Sequence, residues 1–508
     1  MNTSLDAGRR ARELDALTEV DLLVVGGGVT GAGVALDAAS RGLSVALVEA
    51  HDLAFGTSRW SSKLVHGGLR YLARGDVGLA HESAVERGIL MTRTAPHLSR
   101  PLPQLIPLHD TVSGRTARLA MAGLRAGDGL RLLARTPGSL LPRPRRVSAP
   151  EALALAPGLR TAGLRGGLLS FDGQLTDDAR LVVALARTAA GFGARILTRV
   201  RALALTGTGA ELRDELTGRV FSVAARAVIN AAGVWAGSLV DSVRLRPSRG
   251  SHLVLDGTAL GLSGTALTVP VPGGFGRFVL LLPQRDGRVY LGLTDEPVSG
   301  PIPDEPTVPA SDVDFLLEIA SSVLRRPLTS ADVLGSYAGL RPLLDTGGAT
   351  ADLSRHHAVL TAPSGVITVV GGKLTTYRKM AQDAVDATNL PAGPCRTRGL
   401  PLVGAAARPT LSTLDAGPRL VAKYGTEAPR IAALAELDPE LGRPVAPGLE
   451  VTGAEIVWAV RHEGALDPDD VLHRRTRIGL VPTDLAAARP AVADLVGRTL
   501  AGLEASAP

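Results

Sequence analysis

The chain has 508 residues, of which 45% are hydrophobic and 20% charged. That balance allows two or three folded domains with a large core and excludes an intrinsically disordered protein. The net charge is +6, the single cysteine (Cys395) excludes an internal disulfide, and no metal-site spacing or apolar leader is seen, so a cytoplasmic protein without bound metal is expected.

Leu22-Leu23-Val24-Val25 reads as a buried strand, followed by a glycine-rich turn. A helix is expected from Val29 to Arg41, stopped by Gly42, and Val45 to Val48 form a second, parallel strand. Asp177 to Gly191 reads as a helix, with strands at Arg195 to Leu197 and Ala227 to Asn230. Between residues 250 and 300, runs such as Phe278 to Leu282 and Val289 to Leu293 alternate with turns and predict an antiparallel sheet. Gly365 to Val370 reads as a buried strand before Gly371-Gly372 and a helix through Asp386. Residues 391–410 have the Pro/Gly/Ala content of a linker. A helical region follows, with a capping box at Thr452 and Glu455.

Gly26-Gly27-Gly28-Val29-Thr30-Gly31 fits G-x-G-x-x-G between a strand and a helix. Gly26 permits the tight turn, Gly28 lets a pyrophosphate approach the backbone, and Gly31 lets helix and strand pack closely. The helix N-terminus favours phosphate. Glu49, about 20 residues on, stands where an acid holds ribose hydroxyls. The same pattern serves NAD and FAD. Two further segments point to FAD. Asn230 to Trp235 closes a strand with the small residues Ala232 and Gly233. Gly371-Gly372-Lys373-Leu374-Thr375 opens a helix whose N–H groups suit the polar edge of a flavin, near the N1 position that gains charge on reduction.

Ser61-Ser62-Lys63-Leu64-Val65-His66-Gly67-Gly68-Leu69-Arg70-Tyr71 resembles the signature of FAD-dependent glycerol-3-phosphate dehydrogenases. So do Gly26 to Gly33, Gly250-Ser251-His252, Tyr337 to Leu343, Gly371 to Lys379 and His473 to Arg477. The resemblance runs from about residue 20 to the end. It implies an α/β plus α+β fold like that of D-amino-acid oxidase. The expected FAD-binding domain is Rossmann-like and discontinuous (19–104, 147–240 and 335–392). An antiparallel-sheet substrate domain (105–146 and 241–334) and a C-terminal helical domain (405–508) complete it. Implied cofactor contacts include Thr57, Ser58, Ser62, Lys63, His66, Gly67 and Gly68, beside Gly26, Gly28, Gly31, Glu49, Ala232, Gly233, Gly372, Lys373, Leu374 and Thr375.

The implied reaction oxidises sn-glycerol 3-phosphate to dihydroxyacetone phosphate and passes electrons to a quinone at the inner face of the membrane. An oxidase that passes them to oxygen and makes peroxide is the alternative. A phosphate dianion suits arginine forks, which makes Arg341 the first candidate, with Arg355, Arg70 and Tyr71 as further substrate contacts. His252 is the first choice of general base, because imidazole titrates near the working pH. Lys373 is expected to stabilise the reduced flavin or to orient the substrate hydroxyl. His356-His357 is not expected to be a metal pair, since adjacent strand residues face opposite ways.

Residues 115–146 carry eight arginines, Arg118, Arg125 and Arg131 among them, against one acid, Asp128. The interleaved Leu119, Met121, Leu124, Leu130, Leu132 and Leu133 suit an anionic membrane surface. The lack of aromatic residues argues against nucleic acid. A homodimer is compatible with the resemblance.

Overall fold

A computed structural model describes residues 2–68, 72, 75–110, 112–273, 276–345 and 356–505. Glu19–Val25 and Val45–Glu49 pair in parallel across the crossover helix Val29–Ser40. Nothing polar interrupts the strand run Leu22 to Val24, and all three residues have no solvent exposure. Gly42, with φ +93°, ends the crossover as the sequence expects. The sheet runs His357–Thr361, Ile367–Gly371, Val220–Asn230, Glu19–Val25, Val45–Glu49 and Arg195–Thr198. Its inner pairings are parallel, so both faces are covered. Val29–Ser40, Asp178–Gly191 and Tyr377–Ala387 pack on one side.

The second sheet has ten strands among the described residues. Near one edge of it, Ser248–Asp256 is flanked by Arg288–Gly292 and Gly335–Arg341, both antiparallel to it. Alternate Leu and Val residues of Ser248–Asp256, Ala266–Pro270, Phe278–Pro283 and Arg288–Gly292 form a separate core with the helix Ala310–Ser321. Here the sequence-based partition needs correction. Leu164–Leu175 and Gly335–Arg341 were expected in the cofactor-binding segments, yet both are strands of this second sheet, as is Ser99–His109. The apolar content of a buried strand is the same in either sheet; only its pairing partner differs.

The region beyond residue 405 is helical, and Thr452 and Glu455 form the expected capping box. Its motif from His473 to Arg477 ties the two parts of the molecule together. Arg475 forks onto both carboxylate oxygens of Asp52 at 2.8 Å, and Arg474 Nε adds a 2.7 Å bond to the same group. These two cations hold the fully buried Asp52 carboxyl down to about 2 against the opposing effect of burial. No helix among the described residues is long and apolar enough to cross a membrane.

The basic segment forms the helix Gly114–Leu133. Arg115, Arg118 and Arg125 are exposed and lie within one face, while Leu119, Leu132 and Leu133 are 58%, 52% and 70% exposed. Arg131 departs from this pattern. It is buried, with Nε 2.6 Å from Asp128 and Nη1 donating to the Thr136 carbonyl at 2.6 Å.

Candidate active site

A single cavity of about 1370 Å³ runs along the junction of the two sheets. At one end it is lined by Gly26, Gly28, Val29, Thr30 and Glu49. Gly26 has φ +112°, and a Cβ there would stand 2.5 Å from the Ala231 carbonyl oxygen; only glycine makes this turn. A Cβ on Gly31 would overlap the Gly26 carbonyl, so Gly31 acts through packing and does not line the cavity. The first amide of the helix, Val29 N–H, donates to Ser58 Oγ at 2.9 Å. Glu49 is half-buried and accepts from Gly27 N–H at 2.6 Å and His51 N–H at 2.9 Å. Loss of solvent around the carboxyl nevertheless raises it above the usual range. A bare glycine turn, a helix N-terminus and a half-buried acid in one concave wall fit a dinucleotide's pyrophosphate and ribose.

Along the middle, Thr57, Ser58, Ser62, His66, Ala232, Gly233, Gly372, Lys373, Leu374 and Thr375 all face the same space. They come from four loops that end strands or open helices. Gly371 and Gly372 take φ +75° and +68° in succession, which turns the chain into the helix Tyr377–Ala387. Lys373 Nζ donates to Ser83 Oγ on the helix Val77–Ile89.

Besides Gly31, three expected cofactor contacts do not reach this space. Lys63 is fully buried, and its Nζ donates to Asp178 Oδ2 at 2.8 Å and to the Arg59 carbonyl at 2.7 Å. Gly67 N–H turns to Asp172 at 3.2 Å, and Gly68 N–H to His66 Nδ1 at 3.3 Å. A motif of consecutive residues cannot present every side to one ligand, and the left-handed turn at Lys63 (φ +58°) breaks any simple alternation in this stretch. Arg70, Tyr71 and Arg355 lie outside the described residues.

At the far end stand His252 and Arg341. The antiparallel register sets both: His252 pairs with Tyr337 and Ser248 with Arg341. His252 is 1% exposed, and its ring stacks on Tyr337 at 4.7 Å with planes 8° apart. Its Nε2 lies 2.9 Å from Ser62 Oγ. Burial, followed by the cations Lys63 and Arg341, holds the imidazole neutral well below its ordinary pKa. Arg341 Nη1 donates to Ser248 Oγ and Asp295 Oδ1 at 3.1 Å each, and Nη2 to the Thr294 carbonyl at 3.0 Å. Sequence reasoning missed Asp295 and Ser248, and saw Tyr337 only as part of a motif. No local pattern marks them, since their role is set by cross-strand register. His356 and His357 bond different acids, Asp76 and Asp383, each at 2.8 Å.

Residues 21–378 match the FAD dependent oxidoreductase family. Residues 395–505 match the C-terminal domain of alpha-glycerophosphate oxidase. The chain is 57% identical over 498 residues to glycerol-3-phosphate dehydrogenase 1 of Mycobacterium tuberculosis, covering 95% of this chain and 96% of that one. A mitochondrial glycerol-3-phosphate dehydrogenase of Arabidopsis thaliana is 35% identical, with 92% and 81% covered. Among solved structures, the Bacillus halodurans glycerol-3-phosphate dehydrogenase, complexed with FAD, superposes with a TM-score of 0.74 at 28% identity, covering 98% and 97%. FAD is therefore the cofactor of this chain. The chain belongs to the glycerol-3-phosphate dehydrogenases of the FAD-dependent oxidoreductase family.

Proposed function

We propose that the protein oxidises sn-glycerol 3-phosphate to dihydroxyacetone phosphate and passes the electrons to a membrane quinone from a peripheral position on the inner face. The observation that carries the reading is one cavity that joins the dinucleotide cradle to His252 and Arg341. When bound, FAD supplies a hydride acceptor for the hydrogen on carbon 2 of the substrate. His252 takes the proton of the carbon-2 hydroxyl. Burial and two neighbouring cations keep it neutral, the state a base requires. Ser62 Oγ, 2.9 Å from Nε2, fixes the ring and offers a hydroxyl to the same locus. Arg341 takes the phosphate. Asp295 and Ser248 orient its guanidinium, and Asp295 offsets part of its charge, so the site selects by geometry as well as by attraction. Lys373, at the cavity wall, places positive charge near the cofactor.

The membrane reading rests on the helix Gly114–Leu133, which offers exposed Arg115, Arg118 and Arg125 beside exposed Leu119, Leu132 and Leu133. Arginines attract anionic lipid, and leucines enter the interface. Thr116, Ala117, Leu119 and Ala120 of this helix also line the cavity, which brings the membrane-facing element to the chemistry. This proximity favours a lipid-dissolved acceptor over oxygen. The deciding experiment is anaerobic titration of the yellow protein with glycerol 3-phosphate, followed by addition of quinone or of air. Flavin bleaching, then rapid recovery with quinone and slow recovery with air, is expected. An unbleached flavin overturns the substrate; fast recovery in air with peroxide overturns the acceptor.

A further inference from the structure

Ser62, which meets His252, lies on a loop that is held from beneath by charges the catalytic reading does not use. Asp178 Oδ2 accepts from Ser61 N–H at 2.9 Å, Ser61 Oγ at 2.7 Å and Lys63 Nζ at 2.8 Å. One carboxylate oxygen thus grips the residues on both sides of Ser62. Lys63 sits at φ +58°, a left-handed conformation that a lysine adopts only under constraint. Its ammonium also lies 4.8 Å over the ring of Tyr337. That ring stacks on His252, and the Tyr337 hydroxyl donates to the Ser61 carbonyl at 3.2 Å.

The other end of this network is in the C-terminal helical region. Arg477 Nη2 donates to Asp178 Oδ1, and Arg477 Nε lies 2.9 Å from Asp177 Oδ2. Lys63 and Asp178 are completely buried, Asp177 is buried and Arg477 is half-buried. Removing one partner of such a pair strands the others in low dielectric, so the four act as a unit.

We infer that Arg477, acting through Asp178, is a positioning residue that locks the 61–63 loop and sets Ser62 against His252. This role rests on the functional reading above. It gives the C-terminal region a part in catalysis, although none of its described residues lines the cavity. The electrostatics agree. Burial, and next the repulsion of Arg477, lower Lys63 to about 7. The ammonium is therefore present below neutral pH and lost as pH rises through that value. The groups facing it are Asp177, Asp178, Arg477, Tyr337 and His252. Arg477→Gln removes the repelling cation and moves the Lys63 titration to higher pH.

The test compares Arg477→Gln and Asp178→Asn with Glu427→Gln. Glu427 also joins the two regions, through Arg187 at 2.6 and 2.8 Å, but touches nothing in the loop. FAD content, melting temperature, and kcat and KM for glycerol 3-phosphate with a soluble dye are measured across pH. Arg477→Gln and Asp178→Asn are expected to lower kcat by about tenfold or more with KM within about twofold and FAD retained. The near-neutral inflection of kcat shifts to higher pH in Arg477→Gln and vanishes in Lys63→Met. Glu427→Gln lowers the melting temperature alone. If Arg477→Gln also loses only melting temperature, with wild-type kcat and pH profile, the inference falls. If the wild type itself fails to oxidise glycerol 3-phosphate, the functional reading falls instead. Should the Arg477 and Asp178 variants fail to fold, Lys63→Met decides alone: an unchanged inflection overturns the inference.

Discussion

Gly26 and Gly28, and the pair Ser62–His252, line the same cavity, but they are assembled in different ways. The cradle and its acid come from one continuous crossover, from Gly26 to Glu49, and their main hydrogen bonds stay within or beside it. Ser62 and His252 stand 190 residues apart, and Arg341 depends on Ser248 from the neighbouring strand and on Asp295 from the loop after Arg288–Gly292. The first region is a local motif, and its geometry follows from backbone sterics. The second is a product of sheet register, in which a slip of one residue would turn every side chain to the opposite face. Substitutions should therefore affect cofactor retention at one end and turnover or affinity at the other.

The largest effect is expected in the cradle. Gly28→Val places branched carbons where the pyrophosphate must approach, against Ser58 Oγ only 3.1 Å from the position of a Cβ. The purified variant should be colourless; a fully yellow one breaks the assignment of this end to FAD. At the other end, His252→Ala should keep FAD and lower kcat by roughly 10²–10⁴-fold. In the wild type, the acid limb of kcat/KM should lie below the ordinary histidine value of 6.5. A base must be deprotonated, and burial with two cations lets His252 remain so at lower pH. A limb above 6.5 would show that another group is the base.

A smaller effect is expected at Arg341. Arg341→Ala should raise KM for glycerol 3-phosphate by on the order of 10²-fold, about 2–3 kcal/mol, with much less change for glycerol. Equal losses for both substrates would move the phosphate site elsewhere. The smallest effect per residue belongs to the basic helix Gly114–Leu133. Arg115, Arg118 and Arg125 changed together to Glu should release the protein from anionic vesicles, at about 1 kcal/mol for each residue. Dye-linked activity should survive while quinone-linked activity falls. Arg131 is left out, because its bonds to Asp128 and Thr136 make it part of the fold. Unchanged sedimentation of the triple variant would remove this helix from the membrane contact.

The cradle, the crossover helix and the capping box of the last region were legible in the sequence, because each depends on residues within one or two turns of one another. His252 and Arg341 were legible only through a resemblance spanning most of the chain. Lys63 shows the limit of that route. It stands within the signature, yet its ammonium turns away from the cavity to a buried carboxylate. A run of consecutive residues does not reveal which of them faces a ligand.

The sequence by itself determined the dinucleotide fold and the flavin cofactor. Glycine conformation and helix dipoles act locally and need no distant partner. Only the tertiary structure decided which sheet claims Leu164–Leu175 and Gly335–Arg341. It also decided that Asp295 steadies Arg341, and that Arg477 meets Asp178 beneath the loop carrying Ser62. The physical reason is the same in each case: strand register and buried ion pairing join residues far apart in the chain, and neither leaves a local pattern to read.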